Sequence, residues 1–268
     1  MNGYRVVAVH AHPDDESITM AAALADFARQ GADVTVVTCT LGEEGEVIGD
    51  EYAQLANDEA DQLGGYRISE LCQALATLGV KGRFLGGAGH FRDSGMAGSP
   101  ASQNPRAFVN NTDEAVDLLA DIFAEIRPHL VMTYNEVGGY GHPDHIQAHE
   151  ITHAAAKRVE IPRLVWAVTD RAALERGLAE LKVPEGFRAA RDGELASVDT
   201  HDYAVALDDD LYRAKREAMA AHATQIVFGS DTVYALSNMI AQPLLREEHY
   251  QLAAGVPLTG GLLEGLEK

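Results

Sequence analysis

The sequence predicts an α/β protein with a Rossmann-like, doubly wound and mostly parallel sheet held between two layers of helices. Two observations predict this fold. Over the first 168 residues, short apolar runs alternate with longer segments in which apolar residues recur at helical spacing. The connections between those runs are also long enough for helical crossovers, which parallel strands need and which cover both faces of the sheet.

The elements follow in order along this part of the chain. Five apolar runs are predicted to be strands: Tyr4–Val9, Val34–Cys39, Arg83–Leu85, Leu130–Tyr134 and Leu164–Val168. The predicted helices are Ile18–Gln30, which ends before Gly31, then Asp50–Leu63 and Arg67–Leu78 on either side of Gly64-Gly65, Ala115–Glu125 and Asp144–Val159. If the strands take the common order 3-2-1-4-5, the first and fourth strands are neighbours at the point where the chain reverses direction across the sheet.

Two units are predicted. Residues 1–168 form the Rossmann-like catalytic domain, and residues 169–268 form a smaller α+β subdomain that packs on it and contributes to the pocket. In the second unit the pattern predicts helices at Arg171–Leu181 and Leu211–His222, a polar loop at Pro184–Ser197, and strands at Tyr203–Leu207 and His249–Leu252.

Composition excludes several classes of protein. Acidic residues outnumber basic ones by 41 to 21, for a formal charge of −20, which argues against nucleic acids and anionic membranes as partners. The same field attracts cations, so a divalent metal and a small neutral substrate suit it. No secretion signal or membrane-length apolar run is present, and Cys39 and Cys72 fit reduced thiols, so we expect a cytoplasmic protein. Homo-oligomerisation stays open.

Two similar turns carry the residues that suggest chemistry. Residues 8–17 read AVHAHPDDES and residues 138–145 read GGYGHPDH, and each His-Pro-Asp follows a predicted strand and opens a predicted helix. Proline and acidic residues are common at helix N-termini, so a single such turn is explained by capping. Two turns at one edge of the sheet bring three imidazoles and three carboxylates together, which exceeds what capping requires: His12, Asp14, Asp15, His142, Asp144 and His145.

Nitrogen and oxygen donors of this kind suit one divalent metal, with zinc expected and ferrous iron as the alternative. Such a metal lowers the pKa of a coordinated water toward about 7 and polarises a carbonyl group. A carboxylate outside the ligand set can then accept the water's proton, and a nearby histidine can stabilise an anionic intermediate or protonate a leaving amine. The pattern therefore indicates metal-dependent hydrolysis.

These residues resemble the signatures of the PIG-L/LmbE family of metal-dependent N-acetylglucosaminyl deacetylases, (A)HPDD(E) and HPDH. The resemblance continues through TCTLGEEGEVIGD, QLGGYRISEL, LGGAGHFRDSGMAGS and AHATQ. At that extent the chain is similar to the branch that acts on inositol-linked N-acetylglucosamine in mycothiol biosynthesis. The resemblance implies an LmbE-like three-layer fold and an amide hydrolase that releases acetate from this small glycoside.

Residue roles are also implied by the resemblance. It makes His12, Asp15 and His145 the metal ligands and Asp14 the general base that activates water. It makes His142 the residue that stabilises the oxyanion or acts as acid, with Asp144 orienting His142 and Tyr140 polarising the acetyl carbonyl. Arg67 and Asp93 match positions that hold sugar and inositol hydroxyls, and Glu46 lies in a loop that lines the pocket.

Other residues near the two turns are weaker candidates for metal ligands. A binuclear interpretation of His10-x-His12-x-Asp14 fails as a ligand assignment, because His10 lies within the first strand and such a site needs a histidine where Asp15 stands. His149 and His153 recur at helical spacing after His145, and surface or supporting positions are expected for them. Arg67 and Asp93 have structural explanations as well, as a surface cation and a turn residue.

Two other functions compete with the deacetylase. One is a mycothiol S-conjugate amidase on a similar scaffold, although a lysine typical after its first signature is missing at Ser17-Ile18-Thr19-Met20. The other is a non-catalytic sugar- or nucleotide-binding module, which has no use for two turns of carboxylates and imidazoles.

Overall fold

Every residue from Met1 to Lys268 is described by the computed structural model, and a seven-stranded sheet forms its centre. The strands are β1 (Arg5–His10), β2 (Asp33–Thr38), β3 (Lys81–Phe84), β4 (Leu130–Tyr134), β5 (Arg163–Val168), β6 (Tyr203–Ala206), β7 (Val227–Phe228), β8 (Val233–Ala235), β9 (Gln242–Pro243) and β10 (Glu247–Gly255). The helices are α1 (Asp15–Thr19), α2 (Ala21–Arg29), α3 (Leu63–Leu78), α4 (Thr112–Ile126), α5 (Gly138–Gly141), α6 (Pro143–Arg158), α7 (Arg171–Glu180) and α8 (Asp209–Ala221).

The central sheet has the order β3-β2-β1-β4-β5-β10-β6, in which the first five strands are parallel. β1 therefore lies between β2 and β4, as the sequence predicted. Helices cover both faces of the sheet because side chains alternate along each strand. Val7 and Val9 of β1 pack with α4 and α6, whereas Val6 and Ala8 pack with α2 and α3. The predicted α/β, mostly parallel fold is confirmed.

The helix predicted at Asp50–Leu63 was wrong, and the helix predicted at Arg67–Leu78 is confirmed but begins earlier, at Leu63. The segment Asp50–Leu63 contains only a 3-10 turn at Asp50–Leu55, and because none of the residues in that turn is buried, no apolar face holds a longer helix. α3 instead runs through Gly64-Gly65, which were predicted to separate two helices. A Cβ on Gly64 would lie 2.7 Å from Cγ of Glu43, so the glycine permits close packing and does not end the helix.

A third difference concerns the segment Ile18–Gln30, which forms two helices rather than one. α1 ends at Thr19 and α2 begins at Ala21, with Met20 in a non-helical conformation between them (φ −136°, ψ 3°). The break lets α1 begin directly after the first His-Pro-Asp turn while α2 packs on the sheet.

The last hundred residues extend the central sheet. β10 pairs antiparallel with β5, β6 pairs with β10 at the edge, and β7, β8 and β9 form a small separate sheet. The strand predicted at His249–Leu252 is confirmed and is longer than predicted. The division at residue 168 into two units stays a prediction. None of the helices is both long enough and apolar enough to cross a membrane.

Candidate active site

The two His-Pro-Asp turns meet at the carboxyl end of the neighbouring strands β1 and β4. The first turn follows β1 and the second precedes α6, and more than a hundred residues separate them in the chain. Nevertheless Nε2 of His145 lies 3.2 Å from Nδ1 of His12. The strand order thus produces the convergence that the sequence predicted.

The three predicted ligands form a compact triangle of donor atoms. Besides the 3.2 Å between the two imidazoles, the Asp15 carboxylate oxygens lie 3.5 Å from Nδ1 of His12 and 3.4 Å from Nε2 of His145. Tetrahedral zinc with bonds of about 2.0–2.2 Å places neighbouring ligand atoms about 3.3–3.6 Å apart. The spacing of His12, Asp15 and His145 therefore fits one small divalent ion.

The other nitrogen of each imidazole already has a partner. Nε2 of His12 lies 3.3 Å from the Asp144 carboxylate, which also accepts a hydrogen bond from the backbone N–H of Ser94 at 2.9 Å. Nδ1 of His145 lies 3.2 Å from the carbonyl of Gly138. When both outer nitrogens donate, Nδ1 of His12 and Nε2 of His145 keep free lone pairs, which is how metal-binding histidines are usually oriented.

Charges at the site match those of a cation site. Burial alone would raise the pKa of Asp15, but His145 and His12 beside it hold that pKa well below its usual range. Burial lowers the pKa of His145 to about 4, so this imidazole is neutral at pH 7. Burial opposes the charge on His12 too, yet Asp93, Asp144 and Asp15 together raise its pKa. The carboxylates around His12 thus favour a positive charge at this position, which a bound cation would supply.

Tyr134 supports the ligand set and was missed by the sequence analysis. Its hydroxyl donates to Asp15 at 2.7 Å and accepts from the backbone N–H of Ala11 at 2.8 Å, and its ring stacks on His145 with centroids 4.3 Å apart. Tyr134 is the last residue of β4, so its position at the carboxyl edge was the available signal. An aromatic residue in an apolar strand is more commonly a core residue, and this masked the signal.

We expect Tyr134→Phe to weaken metal binding about 10–100-fold, the usual cost of losing a group that orients a ligand. The reason is that the Asp15 carboxylate keeps the hydrogen bond from the His12 N–H but loses the one from Tyr134. The buried N–H of Ala11 also loses its acceptor. The zinc dissociation constant, measured by competition with a chelator, tests this. Tyr250→Phe is the matched control, since Tyr250 is also buried and donates to a carboxylate, that of Glu248, at 3.0 Å. Equal zinc affinity in both variants would contradict the assignment.

Asp14 lies beside the ligands in an unusual backbone conformation. Its φ of 107° is one that non-glycine residues rarely adopt, and its N–H donates to Oε2 of Glu16 at 3.1 Å. Nη2 of Arg67 lies 3.1 Å from its carboxylate. Burial raises the pKa of Asp14 to about 7, although Arg67 opposes this rise. A carboxylate with a pKa near 7 is suited to accept a proton at neutral pH.

The C-terminal part of the chain stabilises the backbone conformation of Asp14 through Glu16. Nε2 of His222, at the end of α8, lies 2.8 Å from Oε1 of Glu16, and both residues are fully buried. Two residues on, Thr224 donates through its N–H and its hydroxyl to Glu70, both at 2.8 Å. Glu16 and His222 belong to the AHPDDE and AHATQ motifs, but no role was predicted for either residue.

Asp144 contacts His142, which it was predicted to orient, through its backbone. Its carboxylate contacts His12 instead. Asp144 contributes its backbone N–H, which donates to Nδ1 of His142 at 3.1 Å and caps α6. Burial and the neighbouring imidazoles of His12 and His145 lower the pKa of His142 to about 4. Tyr140 is 58% exposed, with its ring centroid 4.9 Å from that of His145.

The predicted sugar contacts are only partly close to the ligands. Asp93 is buried, with Oδ1 3.7 Å from Nε2 of His12, and it accepts from the N–H of Gly95 at 2.8 Å. Arg67 is 2% exposed and donates to the carbonyls of Gly42 and Pro13 as well as pairing with Asp14. Glu46 has an exposed side chain that makes no hydrogen bond or ion pair.

Three other histidines near the two turns lie outside the ligand triangle. His10 is buried within β1, and neither of its ring nitrogens has a hydrogen-bond partner. His149 lies one turn after His145 on α6, with Nδ1 3.0 Å from the carbonyl of Tyr134. Nε2 of His153 accepts from the indole N–H of Trp166 at 2.9 Å.

Comparison with known proteins agrees with this geometry. The model of the PIG-L family, described as GlcNAc-PI de-N-acetylase, matches residues 7–156, which include both turns. A 1D-myo-inositol 2-acetamido-2-deoxy-alpha-D-glucopyranoside deacetylase of Corynebacterium efficiens is 57% identical, over 95% of this chain and 89% of that protein. Deacetylases with the same name from Corynebacterium diphtheriae (96% of this chain, 95% of that protein) and Rhodococcus erythropolis (94% and 91%) are each 53% identical.

Solved structures share the fold at low sequence identity. The zinc-inhibited form of a teicoplanin deacetylase has a TM-score of 0.57 at 21% identity, covering 93% of this chain and 98% of that one. The N,N'-diacetylchitobiose deacetylase of Pyrococcus horikoshii has a TM-score of 0.54 at 18% identity, covering 81% and 69%. At this level of identity the similarities show a shared fold and nothing further.

Proposed function

Because this chain belongs to the PIG-L family of GlcNAc-PI de-N-acetylases, we propose that it hydrolyses the acetamide of 1D-myo-inositol 2-acetamido-2-deoxy-α-D-glucopyranoside. The products are acetate and the free amine, glucosaminyl-inositol, as in mycothiol biosynthesis. The observation that carries this proposal is the triangle of His12, Asp15 and His145 with Asp14 beside it. Amide hydrolysis needs an activated water and a stabilised oxyanion, and these groups supply both.

A metal would be held by Nδ1 of His12, the Asp15 carboxylate and Nε2 of His145. Zinc is proposed, since two imidazoles and a carboxylate are a usual donor set for it, with ferrous iron as the alternative. When bound, such an ion lowers the pKa of a coordinated water and polarises a substrate carbonyl. The ligands keep their orientation through Tyr134 and Asp144.

Asp14 accepts the proton of the attacking water. It occupies the one place beside the ligand triangle where a carboxylate is paired with a cation, Arg67, and has a pKa near 7. Glu16 and His222 fix the backbone of Asp14, so its carboxylate does not have to be oriented when the substrate binds.

His142 stabilises the developing oxyanion. Its Nδ1 accepts a hydrogen bond from the Asp144 N–H, so the neutral ring carries its proton on Nε2 and can donate from there. With a pKa of about 4 this imidazole is a hydrogen-bond donor at neutral pH rather than a proton reservoir. The Tyr140 hydroxyl supplies a second hydrogen-bond donor to the acetyl carbonyl. Because its side chain is exposed, substrate can reach it from solvent.

The sugar and inositol hydroxyls are bound by Arg67, Asp93 and Glu46. Asp93 is the strongest of the three assignments, because its buried carboxylate lies within 3.7 Å of a metal ligand and is held below its usual pKa range despite burial. The loop of Glu46 and the region after residue 168 form the wall of the pocket, where the Gln225 side chain donates to the Glu46 carbonyl at 3.4 Å.

Acetate release from this glycoside, measured after the chain is stripped of metal and reloaded with zinc or ferrous iron, tests the proposal. We expect activity that needs the metal, with little cleavage of a bimane-labelled mycothiol conjugate under the same conditions. Faster cleavage of the conjugate would instead make the protein an amidase. A reloaded protein that binds metal but releases neither product would refute the proposed hydrolysis.

A further inference from the structure

A second set of metal-binding side chains lies away from the active site. Asp170 follows β5, His201 precedes β6, and His249 lies within β10, paired with Val168 of β5. Each of the three residues offers one ligand atom, and these atoms all lie within 4.8 Å of one another. None of the three belongs to the His-Pro-Asp turns, and the proposed hydrolysis uses none of them.

Two of these side chains are buried, and one has no hydrogen-bond partner. His249 is 2% exposed, and neither ring nitrogen forms a hydrogen bond, the nearest carboxylate being that of Glu247 at 3.6 Å from Nε2. A buried imidazole whose only close contact is this 3.6 Å approach to Glu247 can still offer a ring nitrogen to a further ligand.

The other two residues are already close together. Nδ1 of His201 lies 3.0 Å from Oδ2 of Asp170, while the second carboxylate oxygen accepts the N–H of Ala173 at 2.9 Å and caps α7. The ring centroids of His201 and His249 are 4.6 Å apart at an interplanar angle of 62°, so the rings are not stacked face to face. His201 is exposed, so rotation of its side chain can bring its ring nitrogens closer to those of His249.

We propose that Asp170, His201 and His249 bind a second divalent transition metal, with zinc as the best match, in a structural site. Two imidazoles and one carboxylate are a donor set typical of zinc, and solvent at the exposed His201 leaves a fourth position for water. A simple ion pair between Asp170 and His201 explains two of the three residues. It leaves the buried His249 with only its 3.6 Å contact to Glu247, whereas a shared metal accounts for all three residues.

Such a metal would fasten the C-terminal extension of the sheet. Residues 181–202 contain no helix or strand and connect α7 to the edge strand β6. Val198 of this connection forms a single bridge to Asp170. A metal held by Asp170, His201 and His249 ties that connection to β5 and β10, and its binding energy would add to the stability of the folded chain.

The test is the number of zinc ions bound per chain. The protein is stripped with a chelator, reloaded with zinc and dialysed, and its zinc content is measured by inductively coupled plasma mass spectrometry. We expect two in the unaltered chain, one in His201→Ala and one in Asp15→Ala, which removes only the active-site ion. His90→Ala is the matched control, because His90 is also exposed and 2.9 Å from a carboxylate, that of Glu114, but has no third ligand. It should keep two ions.

Thermal unfolding gives a second readout that does not depend on activity. In Asp15→Ala, zinc should raise the unfolding temperature, and adding His201→Ala or His249→Gln should abolish that rise. Suppose that the unaltered chain binds one ion, and that Asp15→Ala loses this ion while His201→Ala keeps it. This result would overturn the second site and leave the proposed hydrolase intact. If instead the unaltered chain binds one ion that Asp15→Ala keeps and His201→Ala loses, the result would support the second site. It would also count against a metal in the proposed function.

Discussion

Asp14→Asn should lower kcat/KM for the acetylated glycoside by about 10³-fold, within the usual range for loss of a positioned general base. The metal should remain, because Asp14 is not among the three donors of the triangle. Asn is the informative replacement, since it keeps the size of the side chain and tolerates the positive φ of 107° better than most residues. Steady-state kinetics and the metal content of the same sample check both expectations.

Asp14→Ala should lose at least as much activity, and any difference between the two variants reports on the backbone, because alanine is strained at this φ. Asp61→Asn is the matched control. Asp61 also has a positive φ, 52°, and pairs with an arginine, Arg92, at 2.8 Å, but it is exposed and lies outside the site. If metal and activity fell together in Asp14→Asn, Asp14 would be a ligand and not the base.

His145→Ala should abolish binding of the active-site metal and reduce activity to the level without metal. Removing a ligand should cost more than the 10–100-fold in metal affinity typical of a group that only orients one. It also leaves the Asp15 carboxylate without the imidazole 3.4 Å away that holds its pKa down. Zinc affinity and acetate release as a function of added zinc are the measurements, and a large excess of zinc should restore little activity.

His149→Ala controls for the loss of an imidazole on the same helix. His149 lies one turn further along α6 and contacts the carbonyl of Tyr134, but not the donor triangle. We expect this variant to bind zinc normally and to retain most of its activity. If His149→Ala lost the metal while His145→Ala kept it, the ligand assignment would be wrong.

The strand-to-helix turns and their donor residues were available from the sequence, because these signals are local. Apolar runs give the strands, their spacing gives helical crossovers, and His-Pro-Asp marks a helix start wherever it occurs. The parallel topology then places His12, Asp15 and His145 at one edge of the sheet. The prediction of helix for Asp50–Leu63 failed because local pattern does not show whether a segment has a surface to pack on.

What the tertiary structure decided was which partner each polar group has. The sequence predicted that Asp144 is near the site, but its carboxylate contacts His12 rather than His142, and this orientation leaves Nδ1 of His12 free. Tyr134 and His222 reach the site from β4 and α8 through contacts that span 119 and 206 residues. Such contacts depend on side-chain directions fixed only when the layers pack. The sequence by itself therefore determined the fold class and the residues that meet at the edge of the sheet, and packing determined the orientation of their side chains.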